Sequence, residues 1–442
     1  MQLADQTFTP VTEALPRLEA SVAPLVGIVT GAVSTTHTPD ESSLPNCACE
    51  LASARRTLGG TTVAFGSGAH PDSLRARAAA IGEAVERYSG VFVPYDRLRR
   101  TTARELGRTA VDPARFALFD PAQFGIQRFP LVPFTPDTRT TFVEGVDLRD
   151  GSTAFLPAEL VYLRRPEPRL PPIGYATSSG LACGPTLAEA ILGALLEVVE
   201  RDAVMLAWKC RLSLPLLEWS TDARLTAIDR RYFEPTGARF GVVDASCFLE
   251  VPIAISVLHG PPGMGAALSV GAAAAARVED AWLKAIAESF GVYRWLRQES
   301  VSGVLPPADP DSVESFDDHM LFYATEERAA LAAFLDASSE RSPTRKVRAL
   351  EGSTPLAQIE AIIARLARHG LSAYAVDVTS PDVRDLGLSV ARVIAPELCA
   401  LDVSHRARFL GGRRLTTAAH EAGLVSAPLA VADLNSLPHP FP

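Results

Sequence analysis

A chain of 442 residues with 47% hydrophobic and 21% charged residues has globular composition, which excludes a disordered chain and a minimal scaffold. Asp and Glu outnumber Lys and Arg by 51 to 42, a net charge of −9, so the basic excess that holds a nucleic-acid backbone is missing and no nucleic-acid polymer is expected as a partner. Only three basic residues are Lys: Lys209, Lys284 and Lys346.

The start, MQLADQTFTP, has neither the basic run nor the apolar core of a signal peptide. The apolar stretch from Ala20 to Val33 is broken by Pro24 and Gly27 and falls short of the roughly 18–20 residues of a membrane span. Six Cys are too few for a disulfide framework, so a cytoplasmic location is expected. Cys47 and Cys49 form a CxC pair in what reads as a polar loop, Ser34 to Asn46 and onward, with no second pair to complete a zinc site. Phe65-Gly66-Ser67-Gly68 reads as a turn ahead of a helix from Ser73 to Ser89. TFVEGVDL, the turn Asp150-Gly151 and STAFLPA predict a hairpin. After the Pro-rich stretch Pro166 to Gly174, the small polar segment Thr177 to Thr186 (TSSGLACGPT) leads into a helix from Leu187 to Trp208. Strands are expected at 240–245, 251–258 and 371–379, a third helix from Glu279 to Leu296, and a loop from Gly303 to Asp318. This interleaving lacks the rhythm of a doubly wound sheet and predicts one large α+β domain.

The charges on these helices form a pattern. Glu83-Ala84-Val85-Glu86-Arg87 recurs as Glu197-Val198-Val199-Glu200-Arg201, 114 residues later. At about 100° per residue, Glu83 and Glu86 lie about 60° apart, and Glu189, Glu197 and Glu200 fall within about 80° on the second helix. Like charges on one apolar helix repel and need partners when buried. The third helix adds Lys284 and Glu288. Six carboxylates (Glu83, Glu86, Glu189, Glu197, Glu200, Glu288) therefore face three cations (Arg87, Arg201, Lys284), and a hard ion such as Mg2+ that also holds phosphate oxygens would balance them. The ordinary reading is open beside this one: Thr186 and Glu189 fit a capping box, and the two ExxER units fit ion pairs. Glycine-containing segments at Ser67 and at Ser178-Ser179 precede helix N-termini, where backbone amides favour anions. Neither a GxxxxGK[ST] loop nor a GxGxxG after a strand is present.

Taken together, Gly66-Ser67-Gly68 with ARAAAIGEAVERYSG, then TSSGLACGPTLAEAILGALLEVVERDAVMLAW, then AWLKAIAESFG closely resemble the YcaO family. The resemblance spans about residues 55–442, leaving 1–54 as an N-terminal extension. It implies mixed sheets packed with helices around an ATP and Mg2+ site, with the six glutamates on Mg2+ and Ser67, Arg87, Ser178, Ser179, Arg201 and Lys284 toward the phosphates. AVDVTSPDVRDLGLSVARVIAPELCAL, FLGGRRL and the ending LNSLPHPFP look like the azoline-forming branch. Its members use ATP to close Cys, Ser or Thr of a ribosomally made precursor peptide into thiazoline or oxazoline rings, and the carboxylate of their Pro-rich end enters the active site, which makes Pro442 a catalytic candidate. The chain departs from the family where Ser67 replaces a common Lys, where Ser179 and Pro185 replace Asn, and where Lys284 replaces Arg. The family relation further implies a separate leader-peptide-binding protein, either like ubiquitin-activating enzymes or a small recognition protein, a flavin dehydrogenase that oxidises the rings, and a homodimer. Thioamide or amidine formation by the same ATP chemistry, and a non-catalytic scaffold, are the alternatives.

Overall fold

The computed structural model describes residues 6–38, 41–53 and 65–442; the expected boundary between residues 54 and 55 lies outside them. The chain divides into two compact units: Met1–Thr35, Pro45–Val198 and Glu351–Leu398 form the first, and Thr36–Leu44, Val199–Leu350 and Cys399–Pro442 the second.

The first unit has two sheets. Val29–Ser34, Asn46–Leu51 and Phe65–Ala69 make a three-stranded antiparallel sheet. The CxC pair is therefore in a strand: Cys47 and Cys49 alternate inward and are buried, because the period of two brings both thiols to one face. Gly66 and Gly68 are likewise in a strand, where glycine is required for a different reason than a turn. A Cβ on Gly66 would sit 2.4 Å from the Ala80 carbonyl oxygen, and one on Gly68 2.2 Å from that of Ala76. These glycines let the helix Ser73–Val91 lie directly on the strand, its buried Ala76, Ala80 and Ala84 against it. The second sheet runs in the order Arg99–Thr101, Thr140–Asp147, Tyr374–Asp377, Ser389–Ile394, Leu181–Gly184, with Thr153–Pro157 completing the expected hairpin. Part of the TSSGLACGPT segment is thus this sheet's last strand.

The second unit carries one five-stranded sheet, ordered Leu268–Ala274, Ile253–His259, Arg239–Asp244, Leu216–Glu218, Arg341–Pro343. The helix Val278–Val301 covers its Leu268–Ala274 side, and Gly271 permits the approach: a Cβ there would meet the Ala285 carbonyl oxygen at 2.4 Å. Leu187–Lys209 is one continuous helix, and it belongs to the second unit from Val199 onward. All three expected helices are present and extend by a few residues at their C-terminal ends.

Candidate active site

Phe65–Ala69, Leu181–Gly184 and Leu268–Ala274, which pack on these helices, each end a sheet, and an edge strand presents backbone N–H groups with no ladder partner. The glutamates fill that role. Glu83 accepts from the Ser67 N–H at 2.8 Å, Glu197 from the Gly180 N–H at 3.1 Å, Glu288 from the Ala272 N–H at 2.6 Å and Glu200 from the Ala274 N–H at 2.9 Å. A carboxylate has about four acceptor positions, so one backbone bond orients it without exhausting it.

In the first unit, Glu83 pairs with Arg87 (Nη2 to Oε1, 3.1 Å) and Arg87 Nε stands 3.6 Å from Glu86. Burial, and next the Glu197 carboxylate, push the Glu86 carboxyl well above the ordinary carboxylate range; Arg87 and Arg392 pull the other way. Arg392 was not visible in the sequence as a site residue. It is a buried charge on the Ser389–Ile394 strand, donating to the Thr177 carbonyl at 2.6 Å and the Leu160 carbonyl at 3.0 Å. Burial lowers its guanidinium to about 10, against the pull of Glu197 and Glu86. The signal that could have found it is a lone Arg inside the apolar run Val390 to Ile394.

Ser178 and Ser179 lie in the turn that Arg392 holds through Thr177; the Ser179 N–H donates to Thr177 Oγ1 at 3.2 Å, and Gly180 adopts φ +81°. A Cβ at that glycine would meet the Val393 carbonyl oxygen at 2.5 Å, so the turn and the strand beside it are locked together. Ser67 is exposed beside Glu83.

Glu189 is engaged elsewhere. Its carboxylate accepts from the Thr9 N–H (2.8 Å), Thr9 Oγ1 (3.0 Å) and Thr186 Oγ1 (2.8 Å), while its own N–H donates to Thr186 Oγ1 (3.2 Å). Thr186 is the cap of the helix, and Glu189 secures the cap and the segment around Thr9. Eight residues before Glu197, it stands about 12 Å from it along the helix axis.

In the second unit, Arg201 Nε is 3.5 Å from Glu200, both half-buried or deeper. Lys284 is exposed, one turn before Glu288 on the Val278–Val301 helix. The final residues are not a loose tail: Phe441 and His439 are buried and Pro442 is half-buried.

Carboxylate oxygens are the donors here, and oxygen donors suit a hard divalent cation. Among the described residues, no group of three or more His, Cys, Asp and Glu side chains stands ready to hold an ion. Mg2+ is ordinarily bound through one or two carboxylates plus substrate phosphates and water. Among the described residues no helix is long and apolar enough to cross a membrane.

No curated protein matches this chain. Among solved structures, a heterocyclase in complex with substrate and cofactor aligns over 100% of this chain and 59% of its own, with 22% identity and a TM-score of 0.83. The YcaO protein of Methanopyrus kandleri bound with AMPPCP and Mg2+ aligns over 90% of this chain and 94% of its own, at 20% identity and TM-score 0.63. The E. coli microcin synthetase McbBCD complex with pro-MccB17 bound aligns over 95% and 98%, at 13% identity and TM-score 0.62. At these identities the likeness is one of fold, and this chain spans 59% of the heterocyclase's length. The family model described as YcaO cyclodehydratase, ATP- and Mg2+-binding, matches residues 66–399. Covering most of the chain, and with the fold in agreement, that match shows that the chain belongs to the YcaO family, with ATP and Mg2+ as its cofactors.

Proposed function

We propose that this chain is an ATP-dependent cyclodehydratase that converts Cys, Ser or Thr of a ribosomally made precursor peptide to thiazoline or oxazoline. The observation that carries the reading is the set of glutamates oriented by backbone N–H groups: Glu83 by Ser67, Glu197 by Gly180, Glu200 by Ala274 and Glu288 by Ala272. Glu83, Glu86, Glu197, Glu200 and Glu288 are its Mg2+-binding residues, and Glu189 keeps its capping role. Arg87, Arg201 and the Ser178-Ser179-Gly180 turn face the phosphates, with Ser67 and Lys284 in lesser parts. The backbone bonds to the glutamates hold these oxygens in place before the nucleotide arrives, which is where a phosphoryl-transfer site gains its rate.

Bound Mg2+–ATP supplies the phosphoryl group that turns an amide oxygen into a leaving group. The side-chain thiol or hydroxyl adds to the preceding carbonyl carbon and gives its proton to the Pro442 carboxylate. With Mg2+–ATP held, the carbonyl oxygen would take the γ-phosphoryl group with ADP as the leaving group; cleavage of the C–O bond would then release inorganic phosphate, and loss of the amide N–H proton would leave the C=N bond of the ring. A leader-peptide-binding protein that delivers the precursor, a flavin dehydrogenase that oxidises the product and a second copy of this chain are the proposed partners. The multi-subunit synthetase with a bound pro-peptide, whose fold this chain shares, supports delivery by a separate protein.

The test is mass spectrometry of a precursor peptide after incubation with the chain, its leader-binding partner, Mg2+ and ATP. Loss of one water per modified residue, with stoichiometric phosphate, is the expected result. A mass gain from exchange of oxygen for sulfur, or ATP-independent modification, would overturn it.

A further inference from the structure

The last residues, Leu434 to Pro442, alternate proline with other residues at their end: Pro438, Pro440 and Pro442. Proline has no N–H, so such a segment cannot dock as a ladder strand and can be recognised mainly through its carbonyls. The second unit sets a side-chain polar group against each of three consecutive ones. Trp208 Nε1 donates to the Leu437 carbonyl at 3.2 Å, Tyr323 Oη to the Pro438 carbonyl at 2.6 Å, and His319 Nδ1 stands 3.0 Å from the His439 carbonyl. The far nitrogen of His319 is 3.1 Å from the Val403 carbonyl; a neutral ring has one N–H and donates to one of these two carbonyls, the Nδ1–H form serving the tail.

The tail's own histidine completes the arrangement. The His439 ring stacks on that of His319 at 3.8 Å and 10°. Its Nε2 lies 2.8 Å from the Asp402 carbonyl and its Nδ1 accepts from the Phe441 N–H at 3.3 Å. Those two bonds define the neutral Nε2–H form. Burial, and next the neighbouring His319, lower its pKa well below the ordinary histidine range; the charges of Lys209 and Arg201 also act on it. Upstream, the Asn435 N–H donates to the Lys209 carbonyl at 2.7 Å and Asn435 Nδ2 to that of Trp208 at 3.3 Å.

We infer that Trp208, His319 and Tyr323 are positioning residues: they read successive carbonyls of the Pro-rich end and thereby set where Pro442 stands. The inference rests on the role given to Pro442 above. A generic hydrophobic anchor would tolerate sliding of the tail by a residue, whereas the Trp208 and Tyr323 donors and the Nδ1–H form of His319, set against three adjacent carbonyls, fix its register.

The experiment uses the full chain carrying Tyr323→Phe, which removes one hydroxyl and keeps the ring, and separately His319→Ala and His319→Asn. Hydrogen exchange at the amides of Leu437, His439 and Phe441 should quicken about tenfold in Tyr323→Phe and His319→Ala, while exchange in the helix Ser73–Val91 stays as in the wild type. Turnover, read as water loss from a precursor peptide that the wild type modifies, should fall about tenfold at unchanged KM for ATP. His319→Asn, which keeps a donor near the Nδ1 position, should recover part of both. Unchanged exchange overturns the seat, and faster exchange at wild-type turnover overturns its positioning role. Removal of Pro442 alone tests the underlying reading: wild-type turnover without it sinks the carboxylate's role, whatever the Tyr323 and His319 variants do.

Discussion

The two units repeat one device with different surroundings. In the first, Gly66 and Gly68 bring an edge strand against a helix, and the Ser67 N–H goes to Glu83, sixteen residues on. In the second, Gly271 does the same and the Ala272 N–H goes to Glu288, again sixteen residues on. The charge environment differs. Glu83 is answered by Arg87 on its own helix, and Glu86 and Arg392 crowd in beside them. The cation one turn before Glu288, Lys284, is exposed. A strand–helix pair with a glycine contact can thus present an oriented carboxylate regardless of the ion pairs around it, and the local cations decide how strongly that carboxylate calls for a metal.

The largest effects should come from the carboxylates themselves. Glutamine retains an acceptor for the backbone N–H, so Glu83→Gln and Glu288→Gln should fold normally and each weaken Mg2+–ATP binding at least about tenfold, with Glu197→Gln near a hundredfold, by calorimetric titration. If Glu288→Gln binds like the wild type while Glu83→Gln does not, the equivalence of the two devices is broken.

A smaller effect separates them further through pH. The folded Glu86 carboxyl binds its proton more tightly than the unfolded one, whose reference value is 4.5. Its favourable contribution is therefore full below that value and is lost as pH rises through the raised folded pKa. Without nucleotide, Glu86→Gln should melt higher than the wild type at pH 8, on the order of 2 °C, and the gap should close toward pH 4. A gap that widens toward acid would contradict the crowding assigned to the first unit.

The smallest is Glu189→Ala. It should cost about 1 kcal/mol in denaturant unfolding through the lost cap contacts, with Mg2+–ATP affinity unchanged. A tenfold loss of affinity would return Glu189 to the ligand set.

Much of this was legible from the chain. The three long helices stand out because Ala- and Leu-rich segments with a 3.6-residue period leave little choice, and the ExxER echo points to Glu83, Glu197 and Glu200, which the structure holds through backbone N–H groups. The hairpin was legible from Asp150-Gly151. Gly66 and Gly68 misled because glycine signals a turn and a close strand–helix contact with the same letter; only the Ala76 and Ala80 backbone opposite them distinguishes the two. Cys47 and Cys49 read as loop because small polar neighbours hide a strand buried on one face. Arg392 was illegible for a deeper reason: its partners, Thr177 and Leu160, are 215 and 232 residues away, and no local pattern reports a contact at that distance.

The carboxylate bonds to the edge strands carry a consequence for solubility. Phe65–Ala69 and Leu268–Ala274 end their sheets, and a bare edge is a template on which a second chain can add a strand. Glu83, Glu200 and Glu288 occupy backbone donors that an invading strand would use, and they place negative charge where it would lie. The same side chains proposed to hold a cation thus guard the protein against edge-to-edge association. Replacing them with apolar residues should produce aggregation as well as lost activity, and glutamine is the substitution that separates the two.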